Sequence, residues 1–176
     1  MSSAASIRSR VVLELTTGCE GYAVGCVGNV LFVSAKATTP ASLDAAEQAT
    51  RQMVERYPNG FAQLLIMNPG APMPSPEARK RITVLNDRFG KHTRAMAMVL
   101  GGDSLWTSSM RVVANTMMMV MPVGHQRRMF GDLVSAVSWL VAQLGRNADF
   151  SVSDFAHFDT QLAAHRARRC ADCICH

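Results

Sequence analysis

Short apolar runs alternate with helix-period segments along this 176-residue chain, and their order predicts its elements. Residues 10–15 (Arg-Val-Val-Leu-Glu-Leu) are β-branched and partly alternating, and residues 22–27 and 30–34 follow with only Gly28-Asn29 between them. A two-residue loop that opens with Gly predicts a type II′ hairpin, because Gly accepts positive φ without a Cβ clash. Thr39-Pro40 then has the form of an N-cap and first helical residue. Leu43, Ala46, Thr50, Met53 and Tyr57 recur on one helical face until Pro58-Asn59-Gly60 stops the run. Phe61–Met67 is almost continuously apolar, which suits a central strand covered on both faces.

The same alternation continues downstream. Ser75-Pro76-Glu77 opens a helix with Ala78, Ile82, Leu85 and Phe89 on its apolar side. Ala95–Leu100 reads as a second buried strand, Ser104 to about Met121 as a helix that Pro122 ends, and Gln126–Phe130 as a short polar strand at an edge. Asp132 caps a last helix that turns Leu133, Val137, Leu140, Val141 and Leu144 inward. Leu65, Ile66, Val99 and Leu140 are expected to share one core cluster. The fold class is therefore α/β: a mixed, largely parallel sheet with an N-terminal antiparallel hairpin, flanked by about four helices. Residues 1–145 form the domain. Residues 146–176 are read as an extension, with a short helix carrying Phe155, Phe158 and Leu162 and a cysteine-rich end.

Composition narrows the class. Hydrophobic residues make up 48% of the chain, ample for one core. No apolar run reaches the roughly 18 residues a membrane span needs, and the polar start lacks a secretory pattern, so a cytoplasmic protein without a membrane span is expected. The formal charge is +5. Its densest stretch is Arg79-Lys80-Arg81, with Arg88 and Lys91 following on the same helix. Aromatics are only 6% and none interleaves with these charges, so the stretch reads as a solvated helix face and no nucleic-acid partner is expected.

Candidate chemistry is sparse. Gly101-Gly102-Asp103-Ser104 lacks the spacing and the Lys of a phosphate loop. No serine lies in a nucleophile elbow and the histidines are scattered, so no catalytic residue and no cofactor are expected. Cys19 and Cys26 sit near strands, where small buried thiols are ordinary. Cys170 and Cys173 have C-x-x-C spacing, and with Cys175 and His176 they number four candidate metal ligands, although all four lie within seven residues. Trp106, Met110, Val113 and Met117 form one helical face suited to the sheet. Met117, Met118, Met119 and Met121 nevertheless point around the whole axis, so part of that helix end needs a second cover. A homodimer or other protein partner, another segment of this chain, or an apolar ligand could each supply it.

The element order, together with the ending Phe130-Gly-Asp-Leu-Val-Ser-Ala-Val-Ser-Trp-Leu140, resembles the anti-sigma-factor antagonist (STAS) domains across residues 10–145, and the related SEC14-like domains are also similar. The resemblance implies a non-enzymatic, regulatory, bacterial protein that binds itself or a partner. The SEC14-like alternative implies a pocket for a lipid or other apolar ligand. The STAS resemblance also implies, as in some members, a switch by phosphorylation of a Ser at the start of the helix after the central strand, a position held here by Ser75. The Asp that precedes that Ser in the family is Pro74 in this chain, and the small residues that follow it are Pro76 and Glu77.

Overall fold

The computed structural model describes residues 14–18, 21–68, 70–100 and 125–155. Six strands form one sheet among them: β1 (Glu14–Gly18), β2 (Tyr22–Val27), β3 (Val30–Ala35), β4 (Phe61–Met67), β5 (Thr93–Leu100) and β6 (Gln126–Phe130). Strand order follows the chain, β1-β2-β3-β4-β5-β6. β1, β2 and β3 pair antiparallel, and β3 through β6 pair parallel. The described α-helices are α1 (Pro40–Arg56), α2 (Pro76–Phe89) and α3 (Leu133–Leu144), and residues 152–155 are helical as well. The helix expected over residues 104–121 lies outside the described residues.

The local signals act as the residues dictate. Only Gly28 has positive φ in the two-residue β2–β3 loop, at 52°, as a type II′ turn requires. Thr39 caps α1 through a full capping box with Ser42, whose amide donates to Thr39 Oγ1 at 3.1 Å while the Thr39 amide donates to Ser42 Oγ. Ser75 and Asp132 cap α2 and α3 by accepting the Ala78 and Ser135 amides on their side chains.

The crossovers β3–α1–β4 and β4–α2–β5 place α1 and α2 together on one face. α3 packs across β4, β5 and β6 on the other. Side chains alternate between the faces along each strand. Ala62, Leu64, Ala95, Ala97 and Val99 point to the α3 side, where they bury against Val137, Leu140 and Leu144. Val24, Leu31 and Phe61 point to the α1 side with Met53. The single cluster expected of Leu65, Ile66, Val99 and Leu140 is corrected by this alternation. Ile66, Val99 and Leu140 share the α3-side core, whereas Leu65 faces away from it and is only half-buried.

The chain beyond α3 is built into the same body. Phe150 and Phe155 are buried in the α3-side core with ring centroids 5.2 Å apart. Asn29, in the hairpin turn, is 3% exposed; its Nδ2 donates to the Asn147 carbonyl at 2.6 Å and its Oδ1 accepts the Asp149 amide at 3.1 Å. Gly28 lies so close that a Cβ there would sit 2.8 Å from the Asp149 carbonyl oxygen.

Candidate functional site

α2 does not lie flat on the sheet. Its principal packing is with α1 and with the short 3₁₀ turn Gly90–His92, and of its residues only Ala78 is fully buried. Two of its arginines, Arg81 and Arg88, tie it to α1. Glu47 of α1 receives Arg81 at 3.2 Å, Arg88 at 3.3 Å and its own-helix neighbour Arg51 at 2.6 Å, and Arg81 also reaches Asp44. The hydrogen bonds from Arg51 and Arg81 hold the Glu47 carboxyl below its ordinary value. Arg81 and Arg88, from the basic stretch, thus spend charge on a neighbouring helix.

Beneath the raised helix lies a partly open cavity of about 250 Å³. Ile82, Leu85 and Phe89 of α2 form its roof, and Leu43, Ala46 and Thr50 of α1 form one wall. Three rows of neighbouring residues across the parallel strands supply the floor. Ala35, Met67 and Leu100 form one row, and Val33, Leu65 and Met98 the next. Leu31, Gln63, Met96 and Arg127 form the third. Met73 and Pro74, in the loop before α2, close the end near the first row. The lining is therefore mostly apolar, with the neutral Thr38, Ser42 and Asn86 among it, and Arg127 brings a charge at the end where the parallel strands begin.

That polar end is unusual in its charge. Arg127 stands on β6 at the edge of the described sheet; its Nε donates to His125 Nε2 at 3.1 Å, and its Nη2 is buried with no hydrogen-bond partner among the described residues. Leaving a buried donor unpaired costs about 1–3 kcal/mol, more when it is charged. Desolvation lowers the Arg127 pKa, and guanidinium remains protonated at any ordinary pH. His125 accepts from Arg127, so its Nε2 carries a lone pair and the ring is neutral. Its pKa is held down at about 4 by burial and by the adjacent Arg127 charge, which the Gly90 backbone offsets only in part. Next along the row, Gln63 donates to Thr93 Oγ1 at 3.3 Å.

Of the residues singled out from sequence, Ser75 is described. It is exposed, its oxygen accepts the Ala78 amide at 3.2 Å, and it also hydrogen-bonds the Glu77 carboxylate, which its own backbone amide and the Ser75 hydroxyl hold below the usual range. Trp106, Met110, Met117, Met118, Met119 and Met121 lie outside the described residues, as do Cys170, Cys173, Cys175, His176, Cys19 and Phe158. Cys26 is buried on the α1 side. Arg127 and His125 were missed, and the available signal was alternation: in Gln126–Phe130, positions 127 and 129 share a face, which puts an arginine on the covered side of a strand.

The chain matches no protein-family model and no curated protein. Among solved structures it is similar to an uncharacterised protein of the DUF3478 family with a SpoIIAA-like fold from Shewanella loihica PV-4. The two are 16% identical with a TM-score of 0.50, over 72% of this chain and 99% of that one. The fold of this chain is thus SpoIIAA-like, that is, STAS-like, as its element order led one to expect. No helix among the described residues is long and apolar enough to cross a membrane.

Proposed function

We propose that this protein is a non-catalytic binding domain that holds a small apolar ligand between its sheet and α2, the SEC14-like mode of the two that the sequence raised. The observation that carries this reading is the raised helix. Ile82, Leu85 and Phe89 are half-buried over a space they do not fill, above Leu65 and Met98, which are also half-buried. A fold stabilised only by its own core would gain by closing that space, since each unfilled volume forfeits dispersion contacts. Met67, Met73, Met96 and Met98 contribute adaptable side chains to the lining. Strand order supports the same location: among the described residues it runs in sequence without reversal, so those strands offer no switch-point crevice of the usual α/β kind. The protein-partner reading rests on Met118 and Met119, outside the described residues. A phosphate on Ser75 would meet the Glu77 charge beside it.

N-phenyl-1-naphthylamine, a neutral apolar fluorophore, tests the reading. Saturable binding at one site with enhanced emission is expected, abolished in Leu65→Trp and in Met98→Trp while their circular dichroism stays native. Absence of binding, or binding unchanged in both folded variants, would refute it.

A further inference from the structure

The cavity has one buried, unpaired cationic donor at one end and apolar walls along the rest. Resting on the ligand-pocket reading above, we propose that its ligand is an amphipathic monoanion, an acyl chain of about eight carbons ending in a carboxylate, with the carboxylate on Arg127 and the chain running toward Met67 and Leu100.

The row geometry sets the direction. Gln63, Met96 and Arg127 are neighbours across β4, β5 and β6, and Ala35, Met67 and Leu100 form the corresponding row at the opposite end. A ligand lying along the strands therefore meets a charged side chain at the Arg127 end, whereas Thr38 and Ser42, which follow β3, are neutral. Charge sets the head group. Among the described residues Arg127 forms no ion pair, and its Nε hydrogen bond goes to a neutral imidazole that supplies no negative charge. The remaining guanidinium edge suits a carboxylate, which accepts from Arg in a fork geometry. Gln63 and Thr93 nearby are neutral, so one cation balances one negative charge, and a dianionic phosphate would bring a second charge into the cavity uncompensated. Volume sets the length. At about 30 Å³ for each water-sized group, a partly open cavity of about 250 Å³ seats roughly eight of the ten non-hydrogen atoms of such a carboxylate, the rest lying at its open side.

The experiment is displacement of N-phenyl-1-naphthylamine from the full chain by octanoate, octan-1-ol and octylamine. Octanoate is expected to bind at least tenfold more tightly than octan-1-ol, and octylamine the most weakly. In Arg127→Met octanoate should lose at least tenfold while octan-1-ol is unchanged. Should that variant fail to fold, carbon NMR of carboxyl-labelled octanoate on the wild type gives an independent reading: the bound carboxyl should ionise at a lower pH than the free acid. If the fluorophore binds but octanoate and octanol compete equally, or the bound carboxyl ionises at or above the pH of the free acid, the anionic head is wrong and the pocket stands. If the fluorophore does not bind, both fall together.

Discussion

Leu64 and Leu65 are adjacent in sequence and lie on opposite sides of the sheet. Leu64 is wholly buried under α3, and Leu65 looks into the cavity. Removing three heavy atoms from Leu64 leaves a void that its neighbours cannot fill, so Leu64→Ala should cost about 2–5 kcal/mol. Leu65 already borders empty space and loses less apolar contact, so Leu65→Ala should cost under about 2 kcal/mol by urea denaturation. Equal costs would mean that β4 has the other register. A second residue-scale effect belongs to His125. In the unfolded chain its ring takes up a proton near the ordinary value of 6.5, and in the folded protein only near 4. Between those values the unfolded chain holds the extra proton, so stability is full above about pH 6.5 and falls as pH drops toward 4. His125→Gln should flatten that part of the stability profile, measured as thermal midpoint against pH. A wild-type profile that is already flat there would remove the effect.

Among the elements, α2 is the one held by its partners rather than by the sheet. Glu47 gathers Arg81, Arg88 and Arg51, all at the surface, where such pairs contribute little to global stability. Glu47→Gln should therefore leave the thermal midpoint nearly unchanged and yet speed amide hydrogen exchange in α2, because local opening needs only the α1–α2 tie to break. The folded Glu47 pKa is depressed, so this contribution is present above the ordinary carboxylate value and is lost as pH falls through the lower folded one. Most elements could be read from sequence because their signals are local: Thr39-Pro40, Ser75-Pro76, Gly28-Asn29 and Asp132 each mark a boundary through their own backbone chemistry. The half-buried state of α2 could not be read. Ile82, Leu85 and Phe89 have the spacing of any core-facing helix, and only the height of α2 above the strands separates a packed face from the roof of a cavity.

For the whole molecule, what escaped the sequence is long-range. Arg127 becomes a binding candidate only because the parallel register sets it beside Met96 and Gln63, and Asn29 becomes a tie only because residues 147–149 return to the hairpin. That return bears on how much of the chain the fold needs. Phe150 and Phe155 fill the α3-side core beside Val137 and Leu140, and a deleted buried phenylalanine costs about 3–5 kcal/mol. A small domain has only about 5–15 kcal/mol in total. A chain ending at residue 145 loses both rings together with the two Asn29 hydrogen bonds, and should not hold a cooperative fold. A chain ending at residue 169 keeps both rings and loses Cys170, Cys173, Cys175 and His176, and should melt within a few degrees of the full-length protein with or without chelator. Thermal denaturation of the three lengths decides between a structural and a dispensable C-terminal region. A stable 145-residue chain would show that Phe150 and Phe155 only cover a core that closes without them, and a 169-residue chain that fails to fold would return the cysteines to the structure as metal ligands.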